Sequence, residues 1–207
     1  KIINFLRANP RVKLLKNNGV KKIKRKNGFI EITDNEGNTS EVDHIIFSQN
    51  PSKVVNILSD IQKNELDILG KFKANKNTAY LHSDESIMPK TKKIWSSWNI
   101  FVPKDEKNHI SVTYWMNKLQ NINNKTPLFL SLNPVRLPNE GSIFKVIDYE
   151  HPVFDSKSIT ALKFLDEIQG LNNTWYCGAW SGNGFHEDGL NSSLKVANKL
   201  GIKALWD

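Results

Sequence analysis

The segment that most constrains the fold is TWYCGAWSGNGFHEDGLNSSLKVANKLG, residues 174–201. It reads as a short strand, a glycine-rich loop and a helix. Trp175, Tyr176 and Cys177 are strand-like and run into Gly178, and Gly178, Gly182 and Gly184 permit tight turns and close backbone approach. Leu190, Leu194, Ala197 and Leu200 then recur at helical spacing and give one apolar stripe. Asp188 suits the N-cap, and Gly201 the position just past the end. A strand feeding a helix through glycines presents free N–H groups and the positive end of the helix dipole, which attract a phosphate or a polarised ring oxygen. A structural strand-to-helix connection has the same spacing, so from spacing alone both readings stand.

The rest of the chain supplies elements for such a segment to join. Residues 1–8 look like the end of a helix closed at Asn9-Pro10, and residues 12–15 like a short strand. Three strand-like runs follow, separated by turn signals at Asn27-Gly28 and Glu36-Gly37. The third, 42–47, is nearly continuous in apolar residues and suits a strand covered on both faces. Pro51 opens a helix over 51–58, and a second helix covers 62–69 before Gly70. From 77 to 149 strands dominate, and alternation in SVTYWM and KKIWSSW predicts an antiparallel sheet with one packed face. Helical spacing returns over 158–168, with Gly170 as its stop. The order is therefore α/β, a β-rich insertion, then α/β again.

Several chemistries are excluded by the residues themselves. Cys177 is the sole cysteine, which rules out an internal disulfide and suits a reducing, cytoplasmic compartment. Its place beside Trp175 and Tyr176 reads as a buried, inert thiol, so a Cys-dependent hydrolase is set aside. His186, Glu187 and Asp188 are consecutive and diverge in any regular structure, and His82, Asp84 and Glu85 match no ligand spacing; no metal is expected. No apolar run approaches the roughly 20 residues of a membrane span. The net charge of +8 attracts anionic partners. Its densest run, KKIKRKNG at 21–28, is interrupted by apolar residues as in a half-buried hairpin, and no aromatic pattern suggests nucleic acid.

The sequence resembles the carboxy-terminal part of flavin-containing amine oxidase-like proteins. More narrowly, it is similar to bacterial predicted NAD/FAD-binding oxidoreductases associated with cyclopropane fatty-acid synthases. The residues that carry this are the run from NNGVKKIKRKNGF to NPSKVVNIL, then LHSDESIMP, SSWN, YWMN, HPVFD and GFHEDGL. The resemblance implies part of an FAD-binding Rossmann-like domain (1–48 and 158–207), a helical connector (49–82) and an inserted antiparallel-sheet substrate domain (83–157). It implies hydride transfer from a small-molecule, lipid or fatty-acyl substrate to the flavin of the full-length protein. Partners would be a membrane surface or the synthase itself, with peripheral membrane contact.

By the same resemblance, Val20 would meet the FAD adenine through its backbone. Gly178 and Ala179 would approach the pyrophosphate and ribityl chain, with Gly184 in the same loop. Asp188, Gly189 and Leu190 would place a helix N-terminus near the ribityl chain and a flavin pyrimidine oxygen. Phe185 would face the substrate side, and Trp95, Trp98, Trp115 and Tyr114 would line the pocket or fill the core. Two departures from the family pattern matter. An acid commonly follows the glycine matched by Gly178, but here Ala179 and Trp180 follow. The ribityl contact must then come from backbone, come from Glu187 or Asp188, or be missing. The amino-terminal βαβ unit with G-x-G-x-x-G is also absent from these residues, so weak or no FAD binding is expected of this polypeptide alone. The reading from another class is a non-catalytic basic module that binds anionic lipid or a partner enzyme.

Overall fold

The computed structural model describes residues 2–103, 110–123 and 125–204. The chain divides into two compact units, Lys1–Ala74 with Pro152–Asp207, and Asn75–His151. The architecture is mixed α/β, with antiparallel sheets in both units.

The first unit opens with helix α1 (Ile2–Ala8) and an antiparallel meander of β1 (Val20–Lys26), β2 (Phe29–Asp34) and β3 (Thr39–Val42). The turn at Asn27-Gly28 closes with Gly28 at φ +90°, and the next with Gly37 at φ +89°, conformations that suit glycine. The Asp34 carboxylate accepts from the backbone N–H groups of Glu36 and Asn38, which fixes the second turn. Residues 12–15 form no strand. The apolar run 42–47 is also not one strand: β3 ends at Val42, and β4 (Ile45–Phe47) belongs to a different sheet. β4 buries Phe47 but leaves Ile46 half exposed, so it is not covered on both faces.

β4 pairs in parallel with β10 (Thr174–Tyr176). Helix α2 (Pro51–Ile57) follows β4, its first turn capped by the Asn50 side chain on Ser52 N–H. Helix α3 (Lys63–Leu69) follows, with Gln62 as its N-cap and the Glu65 carboxylate accepting from Gln62 N–H. The 49–82 stretch is therefore no separate connector. Val54, Leu58, Ile68 and Leu69 pack in one core with Ile23, Ile30, Phe47, Tyr176 and Trp180. Full burial of each such aliphatic side chain contributes roughly 1.5–3 kcal/mol. Helix α5 (Ser156–Leu162), capped by the Asp155 carboxylate, adds Ala161 to that core.

A buried ion cluster staples this unit. The Arg25 guanidinium, with its side chain 4% exposed, donates to both Glu65 oxygens at 2.6 and 2.7 Å, and to Asp60 Oδ2 at 2.8 Å. The Tyr176 hydroxyl donates to Glu65 Oε1 at 2.9 Å. Burial pushes the Glu65 carboxyl up, but the bonds from Arg25, Gln62 N–H and Tyr176 outweigh it and hold it below the usual glutamate value. β1, α3 and β10 are thus tied at one point.

The second unit is a five-stranded sheet in the order β6-β7-β8-β5-β9. Its strands are β5 (Lys73–His82), β6 (Trp98–Phe101), β7 (Ser111–Trp115), β8 (Phe129–Leu132) and β9 (Ile143–Val153), with a single helical turn, α4 (Met116–Leu119), after β7. Its core joins Met88, Trp95 and Phe129, with Trp115 packed against them. No helix among the described residues is long and apolar enough to cross a membrane.

Candidate functional site

The parallel pair β4–β10 sends two chain segments out over one edge. The register aligns Phe47 with Tyr176, and Cys177 N–H donates to Phe47 O at 2.9 Å. β4 continues through 48–50 into α2, and β10 through 177–185 into helix α6 (His186–Lys199). Two strand–loop–helix turns therefore lie side by side at the carboxyl ends of parallel strands, the position where open α/β sheets bind ligands.

Each glycine of the second loop has a packing reason. Gly178 sits at φ +131°, and a Cβ there would lie 2.8 Å from the Trp180 ring and 2.9 Å from Ser48 O. The two loops touch at that point, and only a residue without a side chain fits. A Cβ at Gly182 would strike the Asp188 carboxylate at 2.4 Å. Gly184, at φ +91°, donates its N–H to Ala179 O at 3.1 Å. At Gly189 a Cβ would stand 3.4 Å from Ala179 N, so the first turn of α6 lies directly against the Ala179 backbone. The structure thus brings together Gly178, Ala179, Asp188 and Gly189.

Asp188 is not the N-cap. The helix begins at His186 with Phe185 as N-cap, which puts Glu187 and Asp188 in the first turn. Asp188 Oδ2 instead reaches back to accept from Phe185 N–H at 2.9 Å and Asn183 N–H at 3.1 Å. Its carboxylate is thereby spent on the loop, while Glu187 remains exposed. Ser192, one turn further along, accepts from Gly178 N–H at 2.9 Å and donates to Gly189 O at 2.8 Å. The buried stripe of α6 also differs from the sequence pattern. Val196, packed with Trp175 and Cys177 and flanked by Leu200, forms it, whereas Leu190 is 43% exposed.

Trp180, with Ala179, follows Gly178 in place of an acid. It is buried, donates Nε1–H to Cys177 O at 2.9 Å, and meets the Phe72 ring edge-on at 4.9 Å. It is a plug that fixes the loop. Cys177 is likewise buried, in the cluster with Val196. Phe185, at 67% exposure, is no core ring; it stands at the surface beside the helix start. Val20 opens β1 in the three-stranded sheet, off the β4–β10 edge, and is exposed. Among the described residues no three His, Cys, Asp or Glu side chains are placed to share a metal ion.

In the second unit the four aromatics do not converge. Strand register sets Trp98 opposite Tyr114, with the rings edge-on at 5.3 Å, on one face of the sheet. Trp115 pairs with Phe129 on the other face and packs edge-on against Trp95 at 5.4 Å. Trp95 is buried and donates Nε1–H to Pro89 O, which makes it core, whereas Trp98 is exposed. A cavity of this unit is lined by other residues, among them Thr113, Ser111 and Asn99. Sequence reasoning missed them, although the small polar residues at alternate positions of SVT mark a wetter end of that face.

No family model and no curated protein matches this sequence. Among solved structures, the chain is similar to a CLA-producing fatty acid isomerase from P. acnes, with a TM-score of 0.65 and 13% identity over 97% of this chain and 51% of that one. It is similar to a putrescine oxidase redesigned in its cofactor binding, with a TM-score of 0.57 and 9% identity over 89% of this chain and 48% of that one. Cyclohexylamine oxidase from Brevibacterium oxydans matches with a TM-score of 0.55 and 8% identity over 88% and 48%. What these likenesses share with the chain is the mixed α/β fold. The chain spans about half the length of the solved enzymes it matches.

Proposed function

We propose that this chain is part of an FAD-dependent oxidoreductase, in which the 178–190 segment makes the carboxy-terminal contact to the flavin. The observation that carries this reading is the β4–β10 edge, where two strand–loop–helix turns meet through Gly178 and Ser48 O. The residues present fit one part of the cofactor better than another. Glu187 and Asp188 in the first turn of α6 oppose a phosphate there. They tolerate the neutral hydroxyls of a ribityl chain and a polarised pyrimidine oxygen. With Trp180 and Asp188 engaged inside the loop, the ribityl contact falls to the Ala179 backbone, the Gly189–Leu190 turn and Glu187. Val20 remains the adenine-side residue and Phe185 the substrate-side ring.

FAD, when bound, supplies the hydride acceptor; this chain contributes orientation and electrostatics. Asp188 and Ser192 hold the loop rigid, and Trp180 and Tyr176 hold it to the core. The second unit is the substrate domain of this reading, its substrate a lipid or fatty acyl group, and a cyclopropane fatty-acid synthase is the partner enzyme. The test is the visible spectrum of the protein purified from its natural gene. Flavin bands that bleach under anaerobic conditions when substrate lipid is added are expected. A colourless protein that takes up no FAD on reconstitution would refute the reading.

A further inference from the structure

One face of the second unit's sheet carries a chain of buried polar groups that the flavin reading does not use. His82 and Ser131 are fully buried and Thr113 nearly so. The Asp84 N–H donates to His82 Nδ1 at 3.1 Å, so that nitrogen bears no proton and Nε2 does. Burial pushes the imidazole below its ordinary range, against the pull of Asp84, and keeps it neutral. Nε2–H then donates to Ser131 Oγ at 2.9 Å. Ser131 has one hydrogen to give, and Thr113 Oγ1 lies 2.7 Å away. Leaving that hydrogen unmatched in a dry site costs about 1–3 kcal/mol, so Ser131 donates and Thr113 accepts. The Thr113 hydroxyl hydrogen is left for another partner.

Thr113 lines a cavity of about 580 Å³, a size typical of small-molecule sites at about 300–1,000 Å³. Its walls are largely apolar, with Ile87, Met88, Phe101 and Val135, and its charged residues are Lys90 and Arg136. Arg136 is held at the wall by donating to the carbonyl and hydroxyl of Ser86. No carboxylate lines the cavity among the described residues. Among the described lining residues the charge is therefore positive, which disfavours an ammonium and attracts an anion.

We infer that this cavity binds an apolar chain headed by a carboxylate, with the Thr113 hydroxyl as donor to the head group and Arg136 and Lys90 supplying the charge. This deepens the lipid part of the proposed function and names the head group. An amine, the substrate type named for two of the structurally similar oxidases, is disfavoured here.

Calorimetric titration of the purified protein with dodecanoate, its methyl ester and dodecylamine tests the inference. Saturable binding of dodecanoate is expected, with the ester and the amine each about tenfold weaker or worse, as for the loss of one charge-assisted hydrogen bond or ion contact. Thr113→Val, close in shape but without the hydroxyl, should weaken dodecanoate about tenfold. Thr113→Ser should restore it, and Arg136→Gln should weaken it independently. Equal binding of amine and acid, no saturable binding of the acid, or an unchanged affinity in Thr113→Val would each overturn the inference. Failure of Thr113→Ser to restore binding would do the same for the donor role. None of these measurements needs flavin. A protein expressed from the natural gene that takes up no FAD but binds dodecanoate refutes the oxidoreductase reading alone, and one that binds FAD but not dodecanoate refutes this inference alone.

Discussion

Replacing Arg25 with Met removes the guanidinium that faces a fully buried carboxylate. Glu65 would keep its bonds from Tyr176 and Gln62 N–H but lose both contacts to Arg25, at 2.6 and 2.7 Å. Asp60, with its side chain 32% exposed, can turn to water. Glu65, with none of its surface exposed, cannot. Breaking a buried pair from one side costs about 3–5 kcal/mol, a large part of the 5–15 kcal/mol that is typical of a whole domain. Urea unfolding followed by circular dichroism should show that loss, and the double change Arg25→Met with Glu65→Gln, which removes the buried charge but keeps an acceptor for the Tyr176 hydroxyl, should recover part of it. The pH dependence should also invert. In the parent protein Glu65 is held below its unfolded value, so its stabilisation is present above that value and is lost as pH falls through the folded pKa. Without Arg25, burial dominates and lifts the folded pKa. The single variant should then gain stability, relative to neutral pH, as acid protonates Glu65. A cost below about 1 kcal/mol, typical of an exposed pair, or an unchanged pH profile would refute this account of the cluster.

Gly178→Ala forces a side chain into a left-handed backbone and against Ser48 O; a cost of about 1–3 kcal/mol is expected by thermal unfolding. Asp188→Ala unties the Asn183 and Phe185 N–H groups, and should cost about 1 kcal/mol while raising amide exchange within 182–186. Trp95→Ala should cost about 3–5 kcal/mol, whereas Trp98→Ala, at a site 58% exposed, should stay within about 1 kcal/mol. Cys177 should resist iodoacetamide in the folded protein and react after unfolding, as mass spectrometry would detect.

Local signals carried much of the first unit's fold. Glycine turns at Gly28 and Gly37, Pro51 at a helix start, and the strand–glycine–helix order after Thr174 all rest on backbone chemistry that neighbouring residues dictate. What was not legible depends on distant partners. The apolar run 42–47 splits because β3 pairs with β2 while β4 finds β10 across the whole insertion. Asp188 looked like a cap because it is the acid nearest the helix start; the bare Gly182 lets it fold back as a clamp instead. The Arg25–Glu65–Tyr176 cluster draws one residue from each of three separated stretches, and no spacing rule connects them. The His82–Ser131–Thr113 chain is of the same kind: sequence spacing could only dismiss His82 as a metal ligand.

The most direct test of the central claim is hydrogen–deuterium exchange, with and without FAD, on the protein expressed from its natural gene. Slower exchange at 178–190 and 48–50 is the expected result, since those amides line the β4–β10 edge. Protection elsewhere with these two loops unchanged would contradict the assignment of that edge to the flavin.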